Sequence, residues 1–158
     1  MKHLPRRRRL EAKTDYKARL ALLTSEMPRI IVRRTNKYII AQAVVSEGAQ
    51  DKVIYGCTSR NLLEKGWPET KRGSLKSIPA AYLTGLLLGN AIKGKIAEAI
   101  LDIGMQRNIQ KSRLYAVLRG ILEAGVKVPH SEEALPDDDR LQSNEELRPI
   151  MAKVKQKL

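Results

Sequence analysis

Apolar and β-branched residues dominate positions 29–45, where Thr35-Asn36-Lys37 forms a polar break. Because β-branched side chains favour extended backbone, this pattern predicts a β-hairpin. A third strand is predicted over residues 52–57, with a turn over residues 46–51 that contains Gly48. We therefore expect three consecutive strands in the first part of the chain.

A long apolar segment follows these strands. Residues 62–77 contain Gly and Pro and are predicted to be mostly an exposed connection. Pro79 is expected in the first turn of a helix, a position that tolerates proline. In that helix Ala81, Gly85 and Gly89 recur at every fourth position. We expect this stripe of small residues to let the helix lie close against the sheet.

The second half of the chain alternates between strand and helix patterns. Residues 97–105 have the alternation of a strand, and Ser112 is a candidate N-cap for a helix that ends at Gly125. The buried face of that helix is predicted to hold Leu114, Val117, Leu118, Ile121 and Leu122. Residues 144–158 have the spacing of a further short helix, whose start is limited by Pro149.

Charge is distributed unevenly over these elements. Residues 1–40 hold 12 Lys or Arg and 3 Asp or Glu, which is +9 of the total net charge of +13. Residues 131–146 carry −6. A concentration of Lys and Arg is typical of proteins that bind the phosphate backbone of nucleic acid.

The patterns together predict an α/β fold in which a mixed β-sheet packs with helices, with a basic N-terminal arm and a short C-terminal helix. We expect the arm over residues 1–28, an α/β RNA-binding domain over residues 29–130, and an acidic loop with the C-terminal helix over residues 131–158. The acidic loop could be solvated or could face a basic neighbouring protein.

Composition narrows the class of protein. Five Tyr, one Trp and no Phe argue against recognition of RNA mainly by stacking of single-stranded bases. Cys57 is the only cysteine, which excludes an intramolecular disulfide and favours a small buried residue. The longest mostly apolar stretch, residues 79–92, is too short to span a bilayer, which needs about 20 residues. A soluble cytoplasmic protein without a membrane partner is expected.

One segment resembles a phosphate-binding loop. Residues 89–95 match G-x-x-x-x-G-K, but Ile96 occupies the position where a magnesium-binding Ser or Thr is needed. The glycines are also predicted to close a helix, whereas a phosphate-binding loop opens one. We therefore expect neither nucleotide hydrolysis nor a small-molecule substrate.

No group of residues has the spacing of a catalytic or metal site. Asp51, Glu98 and Asp102 do not form a diagnostic pattern, and His3 and His130 are isolated. The sequence predicts no catalytic residue, no metal and no cofactor.

The basic residues are the strongest functional signal. The run Arg6–Arg9 by itself could be a solvated tail or a localisation signal. The arm continues, however, with Lys13, Tyr16, Lys17 and Arg19. Arg33 and Arg34 then lie in a strand, where consecutive side chains point to opposite faces. Guanidinium groups suit bidentate phosphate recognition, so RNA binding is favoured.

Several separate motifs carry a family resemblance. The segments RIIVRRTNKYIIAQ, KSIPAAYLTGLLLG, LDIG and VPHSEEALPDDDRL occur in this order, with AKTDYKARLALL upstream and Gly66-Trp67 between them. Over residues 7–141 the chain resembles the archaeal form of the large-subunit ribosomal protein eighteen family. The tail from Gln142 onward departs from that family's pattern, so contacts of the tail with neighbouring ribosomal proteins are not carried over.

The resemblance implies a structural ribosomal protein that binds 5S rRNA and helps anchor it to the large-subunit rRNA in the central protuberance, beside neighbouring large-subunit ribosomal proteins. It implies RNA binding by the arm, the hairpin and a later loop. Together with Arg6 of the arginine run, the expected RNA-binding residues are Arg7, Arg8, Arg9, Lys13, Thr14, Tyr16, Lys17, Arg19, Arg33, Arg34, Thr35, Asn36, Lys37, Lys71, Arg72, Ser74 and Lys76.

The basic residues are compatible with two other functions. One is a magnesium-dependent nuclease that would need Asp102, and the other is a general nucleic-acid-binding module that would bind duplex DNA as well as RNA.

Overall fold

The computed structural model describes residues 4–48 and 50–158. His3 and the other two N-terminal residues of the predicted arm lie outside these ranges, as does Ala49 in the predicted turn. The helices are α1 (Arg7–Leu10), α2 (Tyr16–Thr24), α3 (Ile78–Ile92), α4 (Arg113–Glu123), α5 (Asp138–Leu141) and α6 (Arg148–Lys155). The strands are β1 (Arg29–Arg34), β2 (Ile39–Glu47), β3 (Gln50–Thr58) and β4 (Ile100–Asp102). Short 3-10 helices span Ser59–Leu62, Glu69–Ser74 and Glu132–Ala134.

The four strands form one sheet in the order β3-β2-β1-β4. β1 and β2 are the predicted hairpin, and β3 pairs antiparallel with β2. β4 lies parallel to β1 at the opposite edge from β3. The sheet is therefore mixed, and the predicted α/β class is confirmed. β2 and β3 extend further than predicted, to Glu47 and from Gln50, so the turn between them is shorter than residues 46–51.

Alternate residues of the sheet face the helices and form the core. Ile30 and Val32 of β1, with Ile39 and Ala41 of β2, are buried. α3 packs on β2 and β3, and α4 packs on β1. Period-two burial of this kind leaves the intervening side chains of β1, among them Arg33, on the other face of the sheet.

The stripe of small residues on α3 has a different partner from the one we predicted. A β-carbon added at Gly85 would overlap the carbonyl oxygen of Val117, and one added at Gly89 would overlap Ala124. On α4, Gly120 likewise allows close approach to the backbone at Tyr82. The stripe thus serves a close helix–helix crossing with α4, and the prediction that it faces the sheet was wrong.

The predicted strand over residues 97–105 is much shorter in the structure. β4 pairs with only three residues of β1, from Arg29 to Ile31. Upstream, Ala99 donates its amide to the carbonyl of Lys127 instead, at 3.0 Å. Gly104 has φ +58°, a left-handed conformation that turns the chain and ends the strand.

The connection over residues 62–77 is more buried than predicted. Leu62, Trp67 and Leu75 belong to the core, and the Trp67 indole donates to the carbonyl of Lys71 at 3.2 Å. Two 3-10 turns bring these three side chains inward at irregular intervals, so no regular apolar period marks them in the sequence.

The ends of α4 lie where predicted. Ser112 occupies the N-cap position and Gly125, with φ +102°, follows the last turn. The Ser112 hydroxyl makes no capping hydrogen bond, however, and is the one buried side-chain polar atom in the described residues that has no partner.

The C-terminal helix packs on the rest of the molecule. Leu147 and Val154 are buried in the common core, together with Leu141 from α5. Tyr82 of α3 donates its hydroxyl to Glu123 of α4, and Lys155 of α6 pairs with the same carboxylate at 2.6 Å. Within residues 4–48 and 50–158, none of the helices combines the length and the apolar character needed to cross a membrane.

Candidate nucleic-acid interface

From residue 4 onward the N-terminal arm lies on the surface and, apart from the half-buried Arg19, keeps its cations exposed. Neither α1 nor α2 contains a buried residue. Asp15 caps α2 by accepting hydrogen bonds from the amides of Lys17 and Ala18, at 3.0 and 3.1 Å. This cap fixes where α2 begins, and it orients the neighbouring basic residues.

Contacts within the arm hold several of the predicted RNA-binding residues in place. The Arg6 guanidinium lies over the Tyr16 ring, 4.7 Å from its centroid. Arg8 donates to the Thr14 hydroxyl at 2.9 Å. Glu11 pairs with both Arg7 and Lys13 at 2.7 Å. One face of Tyr16 is therefore covered by Arg6.

A basic cleft separates the arm from the end of β4. Its volume is about 470 Å³. Four of the predicted cations line it, and the loop after β4 supplies its other wall. The lining includes Arg8, Lys13, Thr14, Arg19, Arg33, Gly104 and Met105. The structure thus brings Arg33 of the hairpin together with the arm, which sequence order alone does not require.

A buried arginine connects the two sides of this cleft. The Arg29 side chain is 1% exposed and donates to Asp51 at 2.5 Å and to Asp102 at 3.1 Å. Asp51 also accepts from Arg19 of α2 at 3.1 Å, and Asp102 accepts from Arg33 at 3.5 Å. We call these five residues the Arg29 network. Because a buried charge must be paired, the two carboxylates hold Arg29 while they position Arg19 and Arg33.

The carboxylate of Asp51 is stabilised in its charged form. Burial is the largest influence and favours the neutral acid, but the Ser46 hydroxyl and the guanidinium groups of Arg19 and Arg29 together outweigh it. The pKa of Asp51 is therefore lowered from its ordinary value of 3.8.

Arg33 has a fixed orientation. Its guanidinium donates to the backbone carbonyls of Val32 and Asp102, at 3.0 and 3.1 Å. It also lies against Gly104, where an added β-carbon would come within 3.0 Å of it. The Arg33 side chain is still 40% exposed. A guanidinium that is held on one edge and open on the other can accept a phosphate without losing much side-chain entropy.

The hairpin turn and the later basic loop lie together. They line one groove of about 550 Å³, formed by Asn36, Lys37, Tyr38, Arg72, Gly73 and Lys76. Arg72 donates to the Tyr38 hydroxyl at 3.3 Å, which lowers the pKa of Tyr38. Two more of the residues predicted here make local hydrogen bonds: the Thr35 hydroxyl accepts the Tyr38 amide at 2.9 Å, and the Ser74 hydroxyl donates to the carbonyl of Lys71 at 2.5 Å.

The predicted cations differ in how far other residues neutralise them. Arg6 and Arg8 are exposed and have no carboxylate partner, but they contact the Tyr16 ring and the Thr14 hydroxyl. Among the described residues, five further cations of the predicted site are exposed and have no side-chain partner. These are Arg9, Lys17, Arg34, Lys37 and Lys76. Lys71, in contrast, pairs with Glu146 of the acidic segment, and this hydrogen bond lowers the pKa of Glu146. Two more acidic residues there, Asp137 and Asp138, pair with Lys111 and Arg119. The acidic segment is thus partly neutralised by the chain itself.

The residues considered for other chemistry are held in structural roles. Both carboxylate oxygens of Asp102 accept hydrogen bonds from arginine side chains, so this residue is a structural carboxylate. Gly94 follows the end of α3, as expected for a mere lookalike of a phosphate-binding loop. Burial raises the pKa of the Cys57 thiol to about 12, which keeps it protonated and confirms it as a small core residue.

Sequence reasoning missed two parts of this surface. The strand pattern over residues 29–45 includes Arg29 but does not show that Arg29 is buried. A buried arginine needs carboxylate partners, and Asp51 and Asp102 supply them. The loop after β4 was missed because its exposed apolar residues, Met105 and Ile109, have no periodic spacing. The three-dimensional position of that loop beside the arm is its only signal.

A family model identifies the family of this chain. The model described as ribosomal large subunit proteins 60S L5 and 50S L18 matches residues 2–98, more than half of the chain. The chain belongs to this family. The family resemblance inferred from the sequence motifs is thereby confirmed. Membership makes the chain a structural, non-enzymatic constituent of the large ribosomal subunit, in contact with rRNA and other ribosomal proteins.

Three relatives carry the name large ribosomal subunit protein uL18. The chain is 53% identical to the one from Korarchaeum cryptofilum over 136 residues, which is 85% of this chain and 68% of the relative. Identity to the Methanoculleus marisnigri protein is 45%, over 87% of this chain and 77% of that one. Identity to the Caldivirga maquilingensis protein is 42%, over 95% of this chain and 71% of that one. Identity at this level over most of the chain extends the assignment beyond residue 98.

Proposed function

We propose that this ribosomal protein binds 5S rRNA and helps anchor it to the large-subunit rRNA in the central protuberance. The observation that carries the proposal is the position of the exposed cations. The arm and the hairpin supply four of the five exposed cations of the predicted site that have no side-chain partner in the described residues, and the adjoining groove supplies the fifth, Lys76.

The geometry favours recognition of the RNA backbone. The basic cleft and the groove beside the hairpin turn both present guanidinium and ammonium groups at the protein surface. Charged groups arranged in this way neutralise phosphates, and the shape of the surface selects a folded RNA. Aromatic side chains contribute little, because one face of Tyr16 is occupied by Arg6 and the Tyr38 hydroxyl is engaged by Arg72.

The arm and the α/β body would act as two parts of one binding surface. Arg19 and Arg33 lie on opposite sides of the Arg29 network and are held by carboxylates that share Arg29. RNA seated in the basic cleft would contact both at once. Division of the chain into an arm (1–28), an RNA-binding body (29–130) and a C-terminal segment (131–158) is part of this proposal.

Binding assays with three nucleic acids test the proposed binding of 5S rRNA. The full chain is titrated at one salt concentration with 5S rRNA, with an unrelated structured RNA of equal length, and with duplex DNA. We expect 5S rRNA to bind at least about tenfold more tightly than either competitor, since specific contacts add to the shared electrostatic attraction. Equal affinity for duplex DNA would instead show a general basic module and would overturn the proposal.

A reconstitution experiment tests the placement. Large subunits assembled without the protein should lack 5S rRNA or hold it loosely, and adding the full chain should restore it. Subunits that retain 5S rRNA equally well with and without the protein would contradict the anchoring role.

A further inference from the structure

The loop that follows β4 has exposed features that the functions above do not use. Residues 104–110 leave the sheet at Gly104 and reach α4. Two large apolar side chains are exposed there, Met105 at 54% and Ile109 at 56%. Arg107 between them is exposed and has no carboxylate partner among the described residues. The loop thus presents two apolar side chains and a cation to solvent within five residues.

Hydrogen bonds fix this loop at several points. The Gly104 amide donates to Asp102 at 2.8 Å. The Gln106 side chain donates to the Val32 carbonyl at 2.7 Å and so ties the loop to β1. The Tyr115 hydroxyl of α4 bonds the Asn108 side chain. The exposed side chains therefore extend from a loop whose backbone is held by hydrogen bonds. Binding a partner through them would cost little conformational entropy.

The position of the loop beside two basic clefts favours RNA as its partner. Met105 lines the basic cleft with Arg8, Lys13 and Arg33. It also lines a second cleft on the arm side, together with Arg9, Tyr16 and Lys17. Basic side chains outnumber the carboxylates of Asp15 and Asp102 in the lining of these clefts, so a polyanion would be attracted here. Apolar side chains beside such clefts suit the faces of unstacked bases, which proteins contact in this way.

We propose that residues 104–110 are a further RNA-binding element, in which Met105 and Ile109 pack against exposed bases and Arg107 contacts a phosphate. The inference rests on the proposed function, because it assumes that RNA occupies the clefts. The inference goes beyond the proposed function because it assigns base contacts to a surface that otherwise recognises only the RNA backbone.

Salt-dependent binding separates the two kinds of contact. Met105→Ser and Ile109→Ser combined should weaken binding of 5S rRNA about tenfold, with the slope of affinity against salt unchanged, because neither side chain neutralises a phosphate. Arg107→Gln should reduce the magnitude of that slope by about 0.7–0.9. The matched control is Val53→Ser, since Val53 is 50% exposed and lies on β3, at the opposite edge of the sheet.

Three outcomes are informative. Weaker binding by the loop variants but not by Val53→Ser supports the inference. Wild-type affinity in the loop variants, with wild-type protein still selecting 5S rRNA, overturns the inference and leaves the proposed function standing. Failure of the wild-type chain to select 5S rRNA overturns the proposed function itself.

Photocrosslinking then identifies the partner directly. Met105→p-benzoylphenylalanine in the full chain, assembled into large subunits, should crosslink to 5S rRNA when illuminated. Crosslinks to a ribosomal protein alone would assign the loop to a protein interface and contradict the proposal.

Discussion

Arg29 and Arg34 stand at the two ends of β1 and have opposite roles. Arg29 is buried and shared between two carboxylates, whereas Arg34 is exposed and has none in the described part of the chain. The alternation of a strand predicts that neighbouring side chains face opposite ways, but not which arginine the fold encloses. That depends on Asp51 and Asp102, which the turn after β2 and the parallel pairing of β4 bring to Arg29.

Substitution of Arg29 should destabilise the fold much more than substitution of Arg34. Arg29→Met removes the buried partner that Asp51 and Asp102 share and leaves them only the more exposed Arg19 and Arg33, so the free energy of unfolding should fall by about 3–5 kcal/mol. Arg34→Met removes an exposed group and should change it by less than about 0.5 kcal/mol. Urea unfolding measures both. An Arg29→Met variant as stable as wild type would show that the network contributes nothing to the fold.

Asp51 gives this network a pH dependence. Because the pKa of Asp51 is lower in the folded chain than its ordinary 3.8, ionised Asp51 adds stability that is present above that value and is lost as pH falls through the folded pKa. Between about pH 5 and pH 3 the wild type should therefore lose more stability than Asp51→Asn. Urea unfolding at several pH values measures the difference. Parallel curves for the two proteins would contradict this role.

Helices α3 and α4 illustrate what can be predicted at the scale of elements. Their existence and ends follow from apolar spacing, Pro79 and Gly125. Their mutual contact does not, because a stripe of small residues allows close approach by any partner. The complementary Gly120 on α4, where an added β-carbon would overlap the Tyr82 carbonyl, decides the partner.

Alanine substitutions test that crossing. Gly85→Ala or Gly120→Ala would force the helices apart, and we expect each to lower the free energy of unfolding by about 3 kcal/mol. Gly73→Ala is the control, since a β-carbon there meets nothing within 4 Å. Thermal unfolding distinguishes them. Equal melting temperatures for all three would refute the close crossing.

The arm is the other element whose role can be separated from the fold. Its helices bury no residue, so deletion of residues 1–9 should leave the melting temperature of the body nearly unchanged. Affinity for 5S rRNA should fall, because four arginines are lost. Circular dichroism and filter binding measure the two effects. A deletion variant that fails to fold would show that the arm supports the core.

Across the whole molecule, some basic side chains are paired with carboxylates and others stay exposed for binding. The sequence predicts that the N-terminal part attracts a polyanion, because the excess of Lys and Arg lies there. It does not predict which cations remain available. Folding pairs Lys71, Lys111 and Arg119 with the acidic C-terminal segment, and it places Lys76 beside the hairpin turn. These pairings depend on residues far apart in the chain.

We propose that the exposed cations of the arm, the hairpin and the adjoining groove hold 5S rRNA. The test compares two variants, each with five exposed cations replaced by Gln. The site variant changes Arg9, Lys17, Arg34, Lys37 and Lys76. The control variant changes Lys65, Lys93, Lys95, Arg140 and Lys153, which are also exposed and lack carboxylate partners in the described residues.

The measurement is the slope of the logarithm of 5S rRNA affinity against the logarithm of salt concentration. Each phosphate contact contributes about 0.7–0.9 to the magnitude of that slope, so the site variant, which loses five cations, should lose about 3.5–4.5. The control variant has the same net charge and should keep nearly the wild-type slope. Equal losses in the two variants would show that overall charge, and not this surface, holds the RNA, and would contradict the account.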